Sequence, residues 1–293
     1  MTKRIETLVE DIYDLFQNKD HKINVENVKA FSDRLAEKIS AKILSNQEEP
    51  RKTLRFSNIG IPCKRKLWYI VNTPEVAEVL KPYVKIKFLF GDILEELLLF
   101  LAKEAGHNVT EEQSRVSISG IDGTRDAIID GRLVDVKSAS SRSFEKFKTH
   151  RLDQDDPFGY RDQLGAYLEA SRDRGDVEEQ DVASFLVIDK QLGHICLDTH
   201  PKSDKNYEEY INELKEMVAK DQPPERGFQP VAIGKSGNMG LDTVCSYCDY
   251  KYTCYPNLRT FIYASGPEYL TDVVRTPKVI ETDKDGNVIN NAF

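Results

Sequence analysis

The chain has 293 residues, a formal net charge of −8, 40% hydrophobic residues and 31% charged ones. That length suffices to bury a core in one elaborate domain or two ordinary ones, and no run of eighteen apolar residues offers a membrane span. The acidic balance argues against a protein that coats nucleic acid by charge alone, but leaves room for a locally positive groove.

Residues 3–17 and about 26–45 show helical periodicity, with Leu35, Ile39 and Ile43 at four-residue steps. The N-terminus is amphipathic rather than signal-like, so the expected compartment is the cytosol, where thiols stay reduced. Residues 48–52 read as a linker, and a short helix is expected after Pro62, carrying Leu67, Trp68 and Ile70. A strong helix covers 84–104 and is ended by Gly106. Strands are expected at about 107–119, 124–129 and 132–137, then helices at 143–150 and 157–172. Strands at 182–189 and 193–198 and a helix at 204–220 precede an irregular, cysteine-bearing segment. There is no internal repeat. This order predicts an α/β or α+β fold with a central mixed sheet flanked by helices and a helical N-terminal region.

Basic clusters stand at 63–66, 85–87 and 145–151, which by themselves are solvated surface. "IGKSG" at 233–237 resembles a phosphate loop, but Gln229 stands where that loop needs glycine. "DKDGN" at 283–287 begins like a calcium loop without a twelfth-position Glu, so a turn is expected.

The most informative stretch is "GTRDAIIDGRLVDVKSAS", residues 123–140. Asp130-Gly131 between apolar runs predicts a two-residue hairpin turn, because both central positions need positive φ. That turn sets Ile129 opposite Arg132, Ile128 opposite Leu133, Ala127 opposite Val134, and Asp126 opposite Asp135. One face then carries Asp126, Ile128, Leu133, Asp135 and Lys137, and the other Ala127, Ile129, Val134 and Val136. Apolar residues on both faces predict a buried hairpin, in which two opposed carboxylates repel. A hard divalent cation between them removes the repulsion. The alternative is a solvated pair at an open edge. Lys137, on the same face, can orient or deprotonate a water, or neutralise a phosphate.

Asp126 followed by Asp135-x-Lys137 resembles the P-D-(D/E)-x-K nuclease superfamily, and "YRDQLGAYLEA" resembles the Gln-x-x-x-Tyr motif of its RecB-like branch, with Gln163 and Tyr167 on one helical face. The branch has an upstream Gly-x-x-x-His motif; here Gly91 is followed by Glu95, with Glu96 next to it. Glu95 is read as the substitute ligand. Cys63, and Cys245, Cys248 and Cys254 in "CSYCDYKYTC", form a one-plus-three pattern similar to the iron–sulfur staple of RecB-like nucleases, including AddB-type domains and CRISPR-associated exonucleases. Zinc in the same site, or free buried thiols, are the alternatives. Cys196 is expected to be a packed strand residue.

The resemblance implies a restriction-endonuclease-like core closed by a 4Fe-4S cluster. Its boundaries would be a helical extension at 1–50, the nuclease domain at 51–262 and a tail at 263–293. Asp126, Asp135 and Glu95, with the Val136 carbonyl, would hold Mg2+ or Mn2+. Lys137, Gln163 and Tyr167 would serve catalysis, with Tyr167 stacking a base or touching phosphate, and Arg65, Lys66 and Lys146 contacting phosphate. The implied activity is exonuclease action on single-stranded DNA or DNA ends, in recombination, repair or DNA processing, with DNA and a helicase or recombination protein as partners. The competing readings are a non-catalytic DNA-binding module and a zinc-stapled structural protein.

Overall fold

The computed structural model describes residues 3–44, 52–79 and 81–290. In chain order it begins with helices α1 (Leu8–Leu15), α2 (Val25–Leu44), α3 (Phe56–Ile59), α4 (Lys64–Asn72) and α5 (Pro82–Glu104). Strands β1 (Val109–Thr110), β2 (Ser114–Ile118), β3 (Ile121–Arg125), β4 (Ala127–Ile129) and β5 (Arg132–Ala139) follow. Next come α6 (Ser141–Lys148), α7 (Tyr160–Ser171), β6 (Val182–Asp189), β7 (Ile195–Pro201) and α8 (Tyr207–Val218). The remainder holds β8 (Val231–Ile233), β9 (Asn238–Gly240), α9 (Thr243–Ser246), α10 (Lys251–Cys254), β10 (Arg259–Tyr263), β11 (Gly266–Asp272), β12 (Ile280–Thr282) and β13 (Val288–Asn290). The fold mixes helices with a mixed sheet, and no helix among the described residues is long and apolar enough to cross a membrane.

The chain divides into two compact units. The first takes the described residues of 1–49, 54–60 and 80–214, the second those of 50–53, 61–79 and 215–293. These limits depart from the expected 1–50, 51–262 and 263–293, because the first helices are part of a core and the last strands build a sheet.

The first unit is organised by a sheet in the order β1-β4-β5-β6-β7. Only β5 and β6 run parallel; the other pairings are antiparallel. Alternation of side chains gives this sheet two distinct faces. One face presents Ala127, Ile129, Val134, Val136, Leu186, Ile188 and Ile195 to Leu98, Leu99 and Ala102 of α5 and to Ile5, Leu8 and Ile12. The N-terminal helix α1 is therefore core, fixed further where the Ile195 N–H donates to the Tyr13 hydroxyl at 2.7 Å. Buried His107 adds a polar tie, with Asp11 at 3.1 Å on one ring nitrogen and Asp130 at 2.6 Å on the other.

Helix α2 runs antiparallel along α5. Asn27 donates to Glu104 at 3.0 Å, Phe31 stacks on Phe100 at 4.9 Å, Arg34 pairs with Glu96 at 3.2 Å and Lys42 with Asp92 at 2.9 Å. None of its residues is fully buried, so charge pairs and a half-buried stripe hold it rather than a deep apolar seam.

The opposite sheet face is covered by α6 and α7, with Phe147 edge-on to Phe185 at 5.5 Å. At the start of α7 the backbone of Gly159, at φ +73°, passes directly against that of Gly60 after α3. This close approach lets Phe56 of α3 stack on Tyr167 of α7 at 4.9 Å.

The second unit contains a sheet in the order β13-β12-β10-β11-β9-β8, where an irregular segment and a tail were expected. Its strands are short and interrupted by glycine, proline and charge, which hides the period-two signal. Residues 234–237 form the turn joining β8 to β9, with Ile233 opposite Asn238, so "IGKSG" is a hairpin turn. "DKDGN" is likewise a turn, in which Asp283 accepts from the N–H groups of Asp285 and Asn287 at 2.9 and 2.8 Å.

Gly159→Ala tests the contact that seats α3 against α7, because its Cβ would lie 1.6 Å from the Gly60 oxygen. The substitution is expected to cost about 3 kcal/mol or more, read as a lowered midpoint in chemical unfolding. An unchanged midpoint would show that the two backbones have room to part.

Candidate metal centre and cysteine cluster

The hairpin has the register expected from Asp130-Gly131: Ile129 lies opposite Arg132, Ile128 opposite Leu133 and Ala127 opposite Val134. Both turn residues have positive φ, +50° and +85°. Asp130 does more than turn the chain, since its carboxylate also accepts from the Asn108 N–H at 2.9 Å.

The ladder stops one residue short of the expected Asp126–Asp135 pair. Asp126 lies in the break between β3 and β4. There its carboxylate accepts from the Val136 N–H at 2.7 Å. It thus reaches across the strand end and remains beside Asp135. The contact is made by the Val136 N–H and not by its carbonyl.

Asp135 is 5% exposed and forms an ion pair with Lys137. The Lys137 ammonium also lies 5.2 Å from the Tyr160 ring centre and 5.9 Å from that of Phe185. Burial works against its charge, but Asp135 and Asp126 outweigh burial and its pKa is raised. Lys137 is therefore held as an ammonium, suited to stabilise anionic charge rather than to remove a proton.

Glu95 and Glu96 are distinguished by their partners. Glu96 is fully buried and takes Arg34 and Lys38, the latter at 2.9 Å. Glu95 accepts from Lys38 at 2.7 Å and from Gln113 at 2.6 Å, and it repels Asp126 and Asp135. Burial raises its pKa first; Lys38 opposes, and Glu96 and Asp135 add to the rise. Asp126 is pushed well above the carboxylate range by burial, then by Asp135 and Glu95, against Lys137 and the Val136 N–H. Three carboxylates thus share one electrostatic neighbourhood.

On α7, Gln163 and Tyr167 share a face as expected, and Gln163 hydrogen-bonds the Tyr167 hydroxyl. Tyr167 is only 4% exposed and its ring already stacks on Phe56. Its ring is thus occupied by protein, and only the hydroxyl end meets the site. Burial, then Asp135 and Asp126, push that hydroxyl up to about 12. Tyr160, one turn before Gln163, belongs to the same group and was not singled out from the sequence, although its spacing of three from Gln163 places it on that face. Lys38 and Gln113 were also missed, and no local pattern marks them.

Among the described residues no set of three or more His, Cys, Asp or Glu stands as a ready metal cage. The donor chemistry nevertheless suits a hard divalent cation, since Glu95, Asp126 and Asp135 are oxygen ligands that repel one another. Lys38, Gln113, Lys137 and the Val136 N–H now hold them.

The four cysteines of the one-plus-three pattern all fall in the second unit. Cys63 precedes α4, Cys245 lies in α9 and Cys254 closes α10. None is in a disulfide. Burial first, then Cys63, Cys248 and Cys254, push the Cys245 thiol up to about 12, so the four sulfurs are neighbours. Cys248 accepts from the Tyr250 N–H at 3.4 Å, and Gly227 leaves room beside Cys63. Cys196 lies apart, half-buried on β7 as expected.

The expected phosphate contacts have protein partners. Arg65 donates to the Pro224 carbonyl at 2.7 Å, Lys66 lies 3.8 Å from Asp249, and Lys146 pairs with Asp155 at 2.6 Å.

No family model matches the chain. No curated protein matches it either. Among solved structures, one described as "Crystal structure of SSO0001" aligns at 15% identity over 79% of this chain and 96% of that one, with a TM-score of 0.38. A likeness of that size carries no argument about function.

The crowded carboxylates give a pH signature. Because folded Asp126 holds its proton above the ordinary value of 3.8, stability without divalent metal falls as pH rises from that value to the raised one. Asp126→Asn keeps an oxygen for the Val136 N–H and removes the charge. It is expected to stabilise the protein at pH 8 by about 1 kcal/mol and to flatten the slope on the acid side, measured by urea unfolding across pH 4–8. Equal loss of stability at every pH would place Asp126 outside the repulsive group.

Proposed function

We propose that the chain is a metal-dependent deoxyribonuclease acting on single-stranded DNA or DNA ends as an exonuclease. The observation that supports this most directly is the electrostatic neighbourhood shared by Glu95, Asp126, Asp135 and Lys137, the residues whose sequence pattern resembles a P-D-(D/E)-x-K site. Glu95, Asp126 and Asp135, with the Val136 carbonyl, would hold the cation. When bound, Mg2+ or Mn2+ lowers the pKa of water and stabilises charge on the attacking and leaving oxygens.

The chain's own groups do the rest. With Glu95, Asp126 and Asp135 holding the cation, Lys137 would present its ammonium to the non-bridging phosphate oxygen or the attacking water. Tyr160 and Phe185 limit where that ammonium can go. Tyr167, locked by Phe56, fixes Gln163 at the mouth of the site through the hydrogen bond between them. A non-catalytic DNA-binding module is the second reading, and it draws on the same carboxylates being held by lysines instead of caged.

End-labelled DNA incubated with manganese separates the two. Asp135→Ala and Lys137→Ala are each expected to slow hydrolysis by at least about a hundredfold, with little loss of DNA affinity. Binding without metal-dependent cleavage by the wild-type protein would leave the binding-module reading standing.

For the cysteines we propose a 4Fe-4S cluster with a structural role. Anaerobically purified protein is expected to be brown and to hold about four irons per chain, and Cys248→Ser is expected to bleach it. Colourless protein with one bound zinc would assign the site to zinc instead.

A further inference from the structure

Helix α5 is longer than the sheet it packs on. Its core stripe, Leu94, Leu98 and Leu101, rests on the apolar sheet face. At 100° per residue the same stripe continues toward the N-terminus through Phe90, Ile86 and Tyr83. Gly91 lies against Ser138, one residue from the end of β5, so the turns before it overhang the sheet. There the stripe is bare: Tyr83 is 58%, Ile86 53% and Phe90 54% exposed.

We infer that this overhanging stripe is a stacking platform that leads the unpaired bases of a DNA strand to the carboxylate site. The inference rests on the nuclease reading above and adds where the substrate strand lies. Two observations favour a single strand as the occupant. Exposed Lys81 and Lys87 lie among the apolar residues, so phosphates find cations beside the rings. The same helix carries Glu95, with a rise of about 18 Å from Tyr83, so a strand along the stripe ends at the carboxylates. A duplex hides its base faces from such a platform. A second aromatic marks the other flank: Phe158 is 51% exposed and its ring lies 5.5 Å from that of Tyr160.

The test compares a labelled oligothymidine with an abasic oligomer of equal phosphate number, by fluorescence anisotropy of the full-length protein without added divalent metal. Wild-type protein is expected to prefer the oligothymidine, and the preference is expected to survive raised salt, since stacking is not screened. Phe90→Leu and Tyr83→Leu keep apolar bulk and remove the ring; each is expected to weaken binding of the oligothymidine by about fivefold or more and leave the abasic oligomer unaffected. Phe90→Tyr is expected to retain the preference. Unchanged discrimination in both leucine variants, with folding intact by circular dichroism, overturns the inference. So does a wild-type dimer, by sedimentation, that the leucine variants dissociate without change in DNA affinity, which would make the stripe a self-association surface. Manganese-dependent cleavage assayed in parallel keeps the two claims apart. Cleavage without ring-dependent binding sinks only the platform, and ring-dependent binding without cleavage sinks only the nuclease.

Discussion

Mutual repulsion of Glu95, Asp126 and Asp135 at the end of a buried sheet is the constraint that the surrounding structure answers. Burial makes that repulsion stronger, because less water screens it. It also strengthens every compensating contact. Lys137 sits on Asp135, Lys38 reaches Glu95 from α2, and the Val136 N–H holds Asp126. A fold selected only for stability would replace these carboxylates with apolar residues, which fill buried positions at lower cost. Keeping them, with their neutralising groups in reach, makes sense if a doubly charged ion takes over the neutralising task and leaves the lysines for an anionic substrate.

The helices at the N-terminus acquire a purpose from the same constraint. Lys38 contacts both Glu95 and Glu96, and Arg34 takes the far side of Glu96. With α2 in place but without the Arg34 and Lys38 charges, Glu96 would be a buried carboxylate lacking both cations, a situation that costs several kcal/mol. The segment is thus part of the charge balance of the site, and α1 is part of the apolar core beneath it.

What could be read from the chain, and what could not, divides along the range of the interactions. The hairpin register was legible because Asp130-Gly131 fixes it locally, and α5 through its length and periodicity. The departure of Asp126 from the ladder was not, because it depends on a carboxylate preferring the Val136 N–H to a cross-strand neighbour. Glu95 and Glu96 were ambiguous in helical phase, and what distinguishes their surroundings is Arg34, which pairs with Glu96 from some sixty residues away. The packing of Tyr167 was not legible either, because the Phe56 that stacks on its ring lies more than a hundred residues upstream. The sheet of the second unit escaped notice because its strands are short and carry no clean alternation.

The cysteines show how a contact confined to one unit can bear on the other. Cys63, Cys245, Cys248 and Cys254 belong wholly to the second unit, so the proposed cluster would lie within that unit. Yet the chain between Cys63 and Cys245 runs through most of the first unit. Tying its ends removes conformational freedom from the unfolded chain over a loop of about 180 residues, and for loops of that order the entropic gain is about 5 kcal/mol in the cross-link model. That contribution requires no contact between the cluster and the carboxylates. Were the proposed cluster bound, the first unit would gain through the cost of unfolding it while both ends of its chain stay tied.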